Sequence, residues 1–167
     1  MSVLSKRVLE MKESATLAMA RKSRELKESG VDVINLSLGE PDFDTPDNIK
    51  EANKRALDAG DTKYTPVAGT KALREAICRK FKRENNLEYT PEQIVVSNGA
   101  KQSIANACMA LLDPGDEILV PSPYWISYAA IGELAQAKVI EVYAGVEENF
   151  KPSAAKLEKY ITDRTKV

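Results

Sequence analysis

The 167-residue chain reads as an α/β fold, three αβα layers around a mostly parallel sheet, and three observations carry that reading. Short β-branched runs at Ile94–Val96, Ile118–Val120 and Val139–Tyr143 alternate with helical stretches near Ala100–Leu112 and Tyr124–Ala135, a βαβαβ rhythm. The first two runs are apolar with little alternation, the pattern of strands that helices cover on both faces. Thr165, Lys166 and Val167 then read as the first residues of a further strand, so the expected sheet is truncated.

Taken in order, Ser14–Ser29 reads as a helix stopped by Gly30, whose missing Cβ suits a left-handed cap. Val31–Leu38 alternates as a short strand. After the loop Gly39–Asp44, Thr45 and Pro46 mark a helix start, Thr as N-cap and Pro in the first turn, with Ile49, Ala52, Ala56 and Leu57 on one face. Gly60–Gly69 is a turn-rich connection, and Thr70 caps a second helix in which Leu73, Ile77 and Phe81 recur every four residues. Asp113, Pro114 and Gly115 end the helix of the βαβαβ region and turn the chain into the next strand. Ser153 caps a last helix through Leu157 and Ile161. No repeat or flexible linker divides the chain.

Bulk composition excludes several function classes. The chain is 43% hydrophobic and 29% charged, and its 24 basic residues are balanced by 25 acidic ones, so nothing favours nucleic acid or an anionic membrane as partner. Met1–Arg7 is polar and basic without the apolar core of a secretion signal, and no run approaches the ~18 apolar residues of a membrane span. Cys78 and Cys108 lie in apolar helical patterns without metal-ligand spacing, as free buried thiols do in a reducing compartment, and a cytoplasmic location follows. The chain has no histidine. That removes the Ser/His/Asp and Cys/His nucleophile systems and the common zinc sites, leaving Lys, Tyr, carboxylates or a cofactor to carry chemistry.

Four stretches carry chemical signals. Ser97–Lys101 (SNGAK) turns from a strand into a helix, where free backbone N–H groups and the positive end of the helix dipole favour an anion. Gly99 permits close approach, although a turn of this kind needs a glycine for steric reasons alone. Ser122–Trp125 follows the next strand at the same carboxyl edge, where open α/β sheets bind ligands. Trp125, the single tryptophan, stands outside the periodic core positions, placed either to stack on a flat ligand or to cover the sheet end. In Ser37–Phe43, Gly39 offers a backbone N–H, while Glu40, Asp42 and Asp44 read as solvated or capping groups and no metal is assigned. Tyr64 lies in the irregular Lys63–Gly69 segment, where its phenol can be a donor.

In this order and spacing, SLGEPDFDTP (37–46), KYTPVAGTKALREAI (63–77), SNGAKQS (97–103) and DPGDEILVPSPYW (113–125) resemble the class I, fold type I aminotransferases dependent on pyridoxal phosphate (PLP), in the aspartate aminotransferase family. Lys12–Thr16 (KESAT) is similar to the bacterial and archaeal branch. The resemblance covers essentially the whole chain. It implies the PLP-dependent transferase-like fold, PLP as cofactor, and transfer of an amino group between aspartate, or a related amino acid, and a 2-oxo acid such as 2-oxoglutarate. Prephenate is a further acceptor in this branch. By the same resemblance the turn at Gly99, Ala100 and Lys101 receives the cofactor phosphate, Trp125 stacks on its ring and Gly39 offers its N–H to the substrate α-carboxylate. Lys101 with Thr16 meets a side-chain carboxylate, and Tyr64 reaches the phosphate held by the partner subunit of a homodimer. Ser122–Pro123 matches a bond that is often cis in the family.

The family pattern also needs an Asn, an Asp, a second Tyr, the Schiff-base Lys and an Arg beyond the position of Val167. No catalytic residue is therefore expected in this chain. Residues 1–44 are read as an N-terminal arm with a small-domain segment, and 45–167 as the N-terminal part of a large PLP-binding domain. The chain alone is expected to be inactive and to expose an unpaired strand edge and apolar surface. Two other readings stay open at this point: a PLP-dependent lyase or synthase of the same fold, and a non-catalytic anion-binding fragment.

Overall fold

The computed structural model describes residues 3–11 and 13–167. Met1, Ser2 and Lys12 lie outside them, so the polar start Met1–Arg7 and the KESAT stretch are described only in part. The fold is α/β with a parallel sheet, partial in extent. Helices are α1 (Lys6–Glu10), α2 (Ala15–Glu28), α3 (Asp47–Asp58), α4 (Lys71–Asn85), α5 (Ala100–Leu111), α6 (Ser127–Leu134) and α7 (Ala154–Glu158), with strands β1 (Glu117–Ser122) and β2 (Lys138–Tyr143). Two compact units can be described separately: Asn98–Val167 together with the N-terminal segment through Leu38, and Gly39–Ser97.

In the first unit β1 and β2 pair in parallel, Glu117 opposite Lys138 and Ser122 opposite Tyr143. On the other edge of β1, the Glu117 N–H donates to Arg164 O at 2.8 Å, the Lys166 N–H to Glu117 O at 3.0 Å and the Leu119 N–H to Val167 O at 2.8 Å. The expected start of a strand at Thr165–Val167 is thus present as a parallel bridge between Glu117 and Thr165. β1 is consequently paired on both edges, while the outer edge of β2 carries no ladder among the described residues.

Side chains alternate across the sheet. Ile118 and Val120 face α6 and join Cys108, Leu112, Ile131, Ala135 and Ala137 in the core. α6 lies so close that a Cβ on Gly132 would stand 2.9 Å from Ile118 Cγ2 and 3.1 Å from Val139 Cγ2. Glu117 and Leu119 lie on the opposite face, where Val142 is also fully buried. Glu117 is a carboxylate that is only 1% exposed. The Thr162 hydroxyl donates to it at 2.6 Å and Arg164 Nη2 at 2.9 Å, and Lys138 Nζ stands 3.6 Å away. These donors, the Thr162 hydroxyl first, bring its pKa from the usual 4.5 down to about 2. Cys108 is a buried free thiol whose pKa burial raises, whereas Cys78 is free but only half-buried.

Local signals place most helix ends. Ser14, Thr70 and Ser153 each accept a backbone N–H three residues on, from Leu17, Leu73 and Lys156, contacts worth ~1 kcal/mol apiece. In the second unit, Arg74 ties α4 to its surroundings by donating to Gly69 O at 3.2 Å and to Pro91 O at 2.7 Å.

Several sequence expectations are corrected. Val31–Leu38 forms no strand: Ile34 and Leu36 are 86% and 89% exposed, and the Ser37 N–H and hydroxyl turn to Asn35 Oδ1 instead of to a ladder. Ile94–Val96 also forms no strand, because the Val96 N–H to Ala68 O bond at 3.0 Å stands alone. A strand exists only by pairing, and β propensity specifies the residue type without supplying the neighbour. Helix α3 starts one residue later than the Thr45 cap implies, with Pro46 as the flanking residue and its carbonyl accepting from Ile49 and Lys50. The stretch from Tyr124 to Ile126 precedes α6, and Ile161 lies beyond α7, 57% exposed. Among the described residues no helix is long and apolar enough to cross a membrane, and no group of three His, Cys, Asp or Glu could hold a metal ion. Asp44 instead pairs with Lys50 at 3.7 Å.

Candidate functional site

Helix α5 begins at Ala100 with Gly99 as its N-cap residue, at φ 84° and ψ 165°. That region of backbone space is accessible essentially to glycine alone. The surroundings are open, since a Cβ on Gly99 would meet nothing within 4 Å. The Asn98 N–H donates to the side-chain Oε1 of Gln102, and the N–H groups of Gln102 and Ser103 return to Gly99 O at 3.2 and 3.4 Å. Gly99, Ala100 and Lys101 keep N–H groups without an acceptor among the described residues. They stand at the positive end of a 12-residue helix, the arrangement that attracts an anion.

Trp125 follows the carboxyl end of β1, just past the Ser122–Pro123 bond, which is cis. Its side chain is 42% exposed. Lys101 Nζ lies 4.7 Å from the indole centroid, and the Tyr128 ring meets the indole edge-on at 5.6 Å and 87°. A cation over an exposed indole contributes ~0.5–1 kcal/mol, no more than the ~0.5–1.5 kcal/mol of an aromatic stack. Lys101 therefore does not lock the indole face against a flat ligand. Next to Trp125, the Tyr124 hydroxyl donates to Glu141 Oε1 on β2. Donation to that carboxylate, then burial, pushes the phenol pKa up to about 12.

Of the residues that the sequence singled out, Gly99, Ala100, Lys101 and Trp125 fall together in one compact unit. Thr16 lies in the same unit, half-buried in the first turn of α2. Gly39 and Tyr64 belong to the other unit: Gly39 has open space where a Cβ would be, and Tyr64 is fully exposed. Sequence reasoning assigned no role to Gln102, Tyr124, Glu141 or Glu117. Gln102 carried a readable signal, since a Gln at the third helical position commonly returns to a backbone N–H near the cap. Glu117 was signalled only by a charge heading an apolar run, and the Tyr124–Glu141 pair, 17 residues apart, by nothing local.

Comparison with known proteins places the chain in a family. The family described as aminotransferase class I and II matches residues 31–167. An aspartate/prephenate aminotransferase of Cereibacter sphaeroides is 53% identical over 166 residues, which are 99% of this chain and 42% of that protein. One of Thermus thermophilus is 51% identical over 163 residues. The solved Thermus thermophilus aspartate aminotransferase with maleate superposes with a TM-score of 0.95 at 50% identity, covering 99% of this chain and 43% of that one. A structure of the Rhizobium meliloti aspartate aminotransferase gives 0.91 at 42% identity, covering 97% of this chain and 40% of that one. The chain thus spans about two fifths of the length of the relatives it matches.

Proposed function

The chain belongs to the class I and II aminotransferases, and from that premise we propose that it builds the cofactor seat of a PLP-dependent, aspartate-type aminotransferase. The observation that carries the reading is the Lys101 ammonium 4.7 Å from the Trp125 indole, beside a Gly99-headed helix whose first N–H groups are free. These donors fit a phosphate monoester attached to a flat ring: N–H groups and an ammonium for the charge, an exposed aromatic face for the ring.

PLP, when bound, supplies the electron sink for deprotonation at an amino-acid α-carbon. The residues of this chain hold and orient. The start of α5 takes the phosphate, and Trp125 supports the ring. The Gly39 N–H receives the substrate α-carboxylate. Lys101, with Thr16, adds the positive and hydrogen-bonding groups that favour a second carboxylate on the substrate. Tyr64 reaches the phosphate held by the partner subunit, which makes the whole protein a homodimer. In this reading residues 1–44 are arm and small-domain segment and 45–167 the first part of the cofactor domain, in a cytoplasmic enzyme using amino acids and 2-oxo acids.

The test is amino transfer by the whole PLP-loaded protein, from aspartate to 2-oxoglutarate and to prephenate. With PLP held saturating, because the same ammonium also contributes to the phosphate seat, Lys101→Met is expected to raise KM for aspartate by roughly 10- to 100-fold, the worth of a charge-assisted contact, and to raise KM for alanine by far less. Elimination from cysteine conjugates without amino transfer would overturn the reading in favour of a lyase.

A further inference from the structure

Trp125 can support a ring only if its plane is held, and its side-chain contacts are with exposed groups. It is 42% exposed, its face meets the exposed Lys101 ammonium, and its ring stands perpendicular to that of Tyr128, which is itself 37% exposed. The turn that carries it, Pro123–Ile126, lies outside any regular element; the first turn of α6 holds its backbone, the Tyr128 N–H donating to Trp125 O at 3.0 Å and the Ala130 N–H to Ile126 O at 3.3 Å, which leaves the orientation of the side chain to its neighbours. The residue before it is anchored on two sides. Tyr124 packs against the buried core cluster, and its hydroxyl donates to Glu141. Glu141 stands opposite Val120 in the β1–β2 register. By alternation it shares the face of Val139, the face on which α6 lies. The bond therefore ties the start of the β1–α6 connection to the neighbouring strand, across the sheet end where the site lies.

We propose that the Tyr124–Glu141 pair is a positioning device that sets the plane of Trp125 against the amino end of α5. The inference rests on the cofactor-seat reading above for its function, while its geometry stands on this chain's own contacts. Tyr124→Phe keeps the packing and removes only the hydroxyl. Glu141→Gln keeps an acceptor oxygen in place, so it separates geometry from charge. The phenol is held protonated to about pH 12, so it remains the donor throughout the working range.

Because Trp125 is the single tryptophan, its emission and anisotropy report this site directly. The experiment measures both in the 167-residue chain, together with thermal midpoint, and measures PLP affinity in the whole protein by equilibrium dialysis. Tyr124→Phe and Glu141→Ala are each expected to lower Trp125 anisotropy and weaken PLP binding roughly five- to tenfold, about the worth of one hydrogen bond. The double variant is expected to be no worse than either single one, and Glu141→Gln to behave as the parent. Unchanged anisotropy and affinity in Tyr124→Phe, with the parent binding PLP, would overturn the positioning role and leave the cofactor seat standing. A whole protein that binds no PLP, with Tyr124→Phe still freeing Trp125 in the 167-residue chain, would sink the cofactor reading and leave the positioning role intact. A loss in Glu141→Gln equal to that in Glu141→Ala would replace positioning by a charge effect and refute the proposal.

Discussion

Gly99→Ala tests the anion seat at its most sensitive point. Gly99 sits at φ 84° and ψ 165°, and a Cβ there would meet nothing within 4 Å. The substitution therefore introduces no clash, and its whole cost is conformational, about 1–3 kcal/mol for an L residue in that region. Alanine relieves the cost by rotating φ to negative values, which turns the N–H groups of Gly99 and Ala100 away from their present direction. If the seat depends on those groups, the same energy appears as a loss in PLP affinity of roughly 5- to 150-fold. Gly115→Ala is the matched control: its φ is 98°, it too has open space, and it lies in the turn before β1. Both variants should lose comparable stability in urea, and only Gly99→Ala should lose PLP affinity in the whole protein, read by equilibrium dialysis and by competition with inorganic phosphate. Wild-type PLP affinity in a folded Gly99→Ala protein would refute the reasoning, because the turn would then not be the phosphate seat.

Two further expectations follow from the interior. Glu117 has a pKa lowered to about 2, so its contribution is complete above the usual 4.5 and is lost as pH falls toward 2. The urea midpoint should decline across that window, and Glu117→Gln should flatten the decline; an identical slope in the variant would assign acid sensitivity to other carboxylates. Gly132→Ala puts a methyl 2.9 Å from Ile118 Cγ2, and about 1–3 kcal/mol of overpacking outweighs the ~1 kcal/mol gained in helix propensity. The thermal midpoint should fall by about 2–4 °C for each kcal/mol lost, and a rise in the calorimetric midpoint would show that the α6–β1 contact yields without cost.

Which parts of the molecule the sequence can specify follows from the range of each interaction. Helix α2, α4 and α7 starts were legible in Ser14, Thr70 and Ser153 because a cap acts over three residues. The turn at Gly99 and the run Ile118–Val120, the middle of β1, were legible for the same reason, since a glycine turn and a buried parallel strand each leave a local mark. The order of the four motifs also pointed to the family. Pairing left no such mark. Val31–Leu38 and Ile94–Val96 have strand-like side chains and no partner ladder, while Thr165–Val167, with a weaker pattern, bonds to the far edge of β1. The same holds within the site. Chemistry by residue type marked Lys101 and Trp125, but only the fold brought the ammonium over the indole and joined Tyr124 to Glu141, because both contacts depend on where β1, β2 and α5 meet and not on neighbours along the chain.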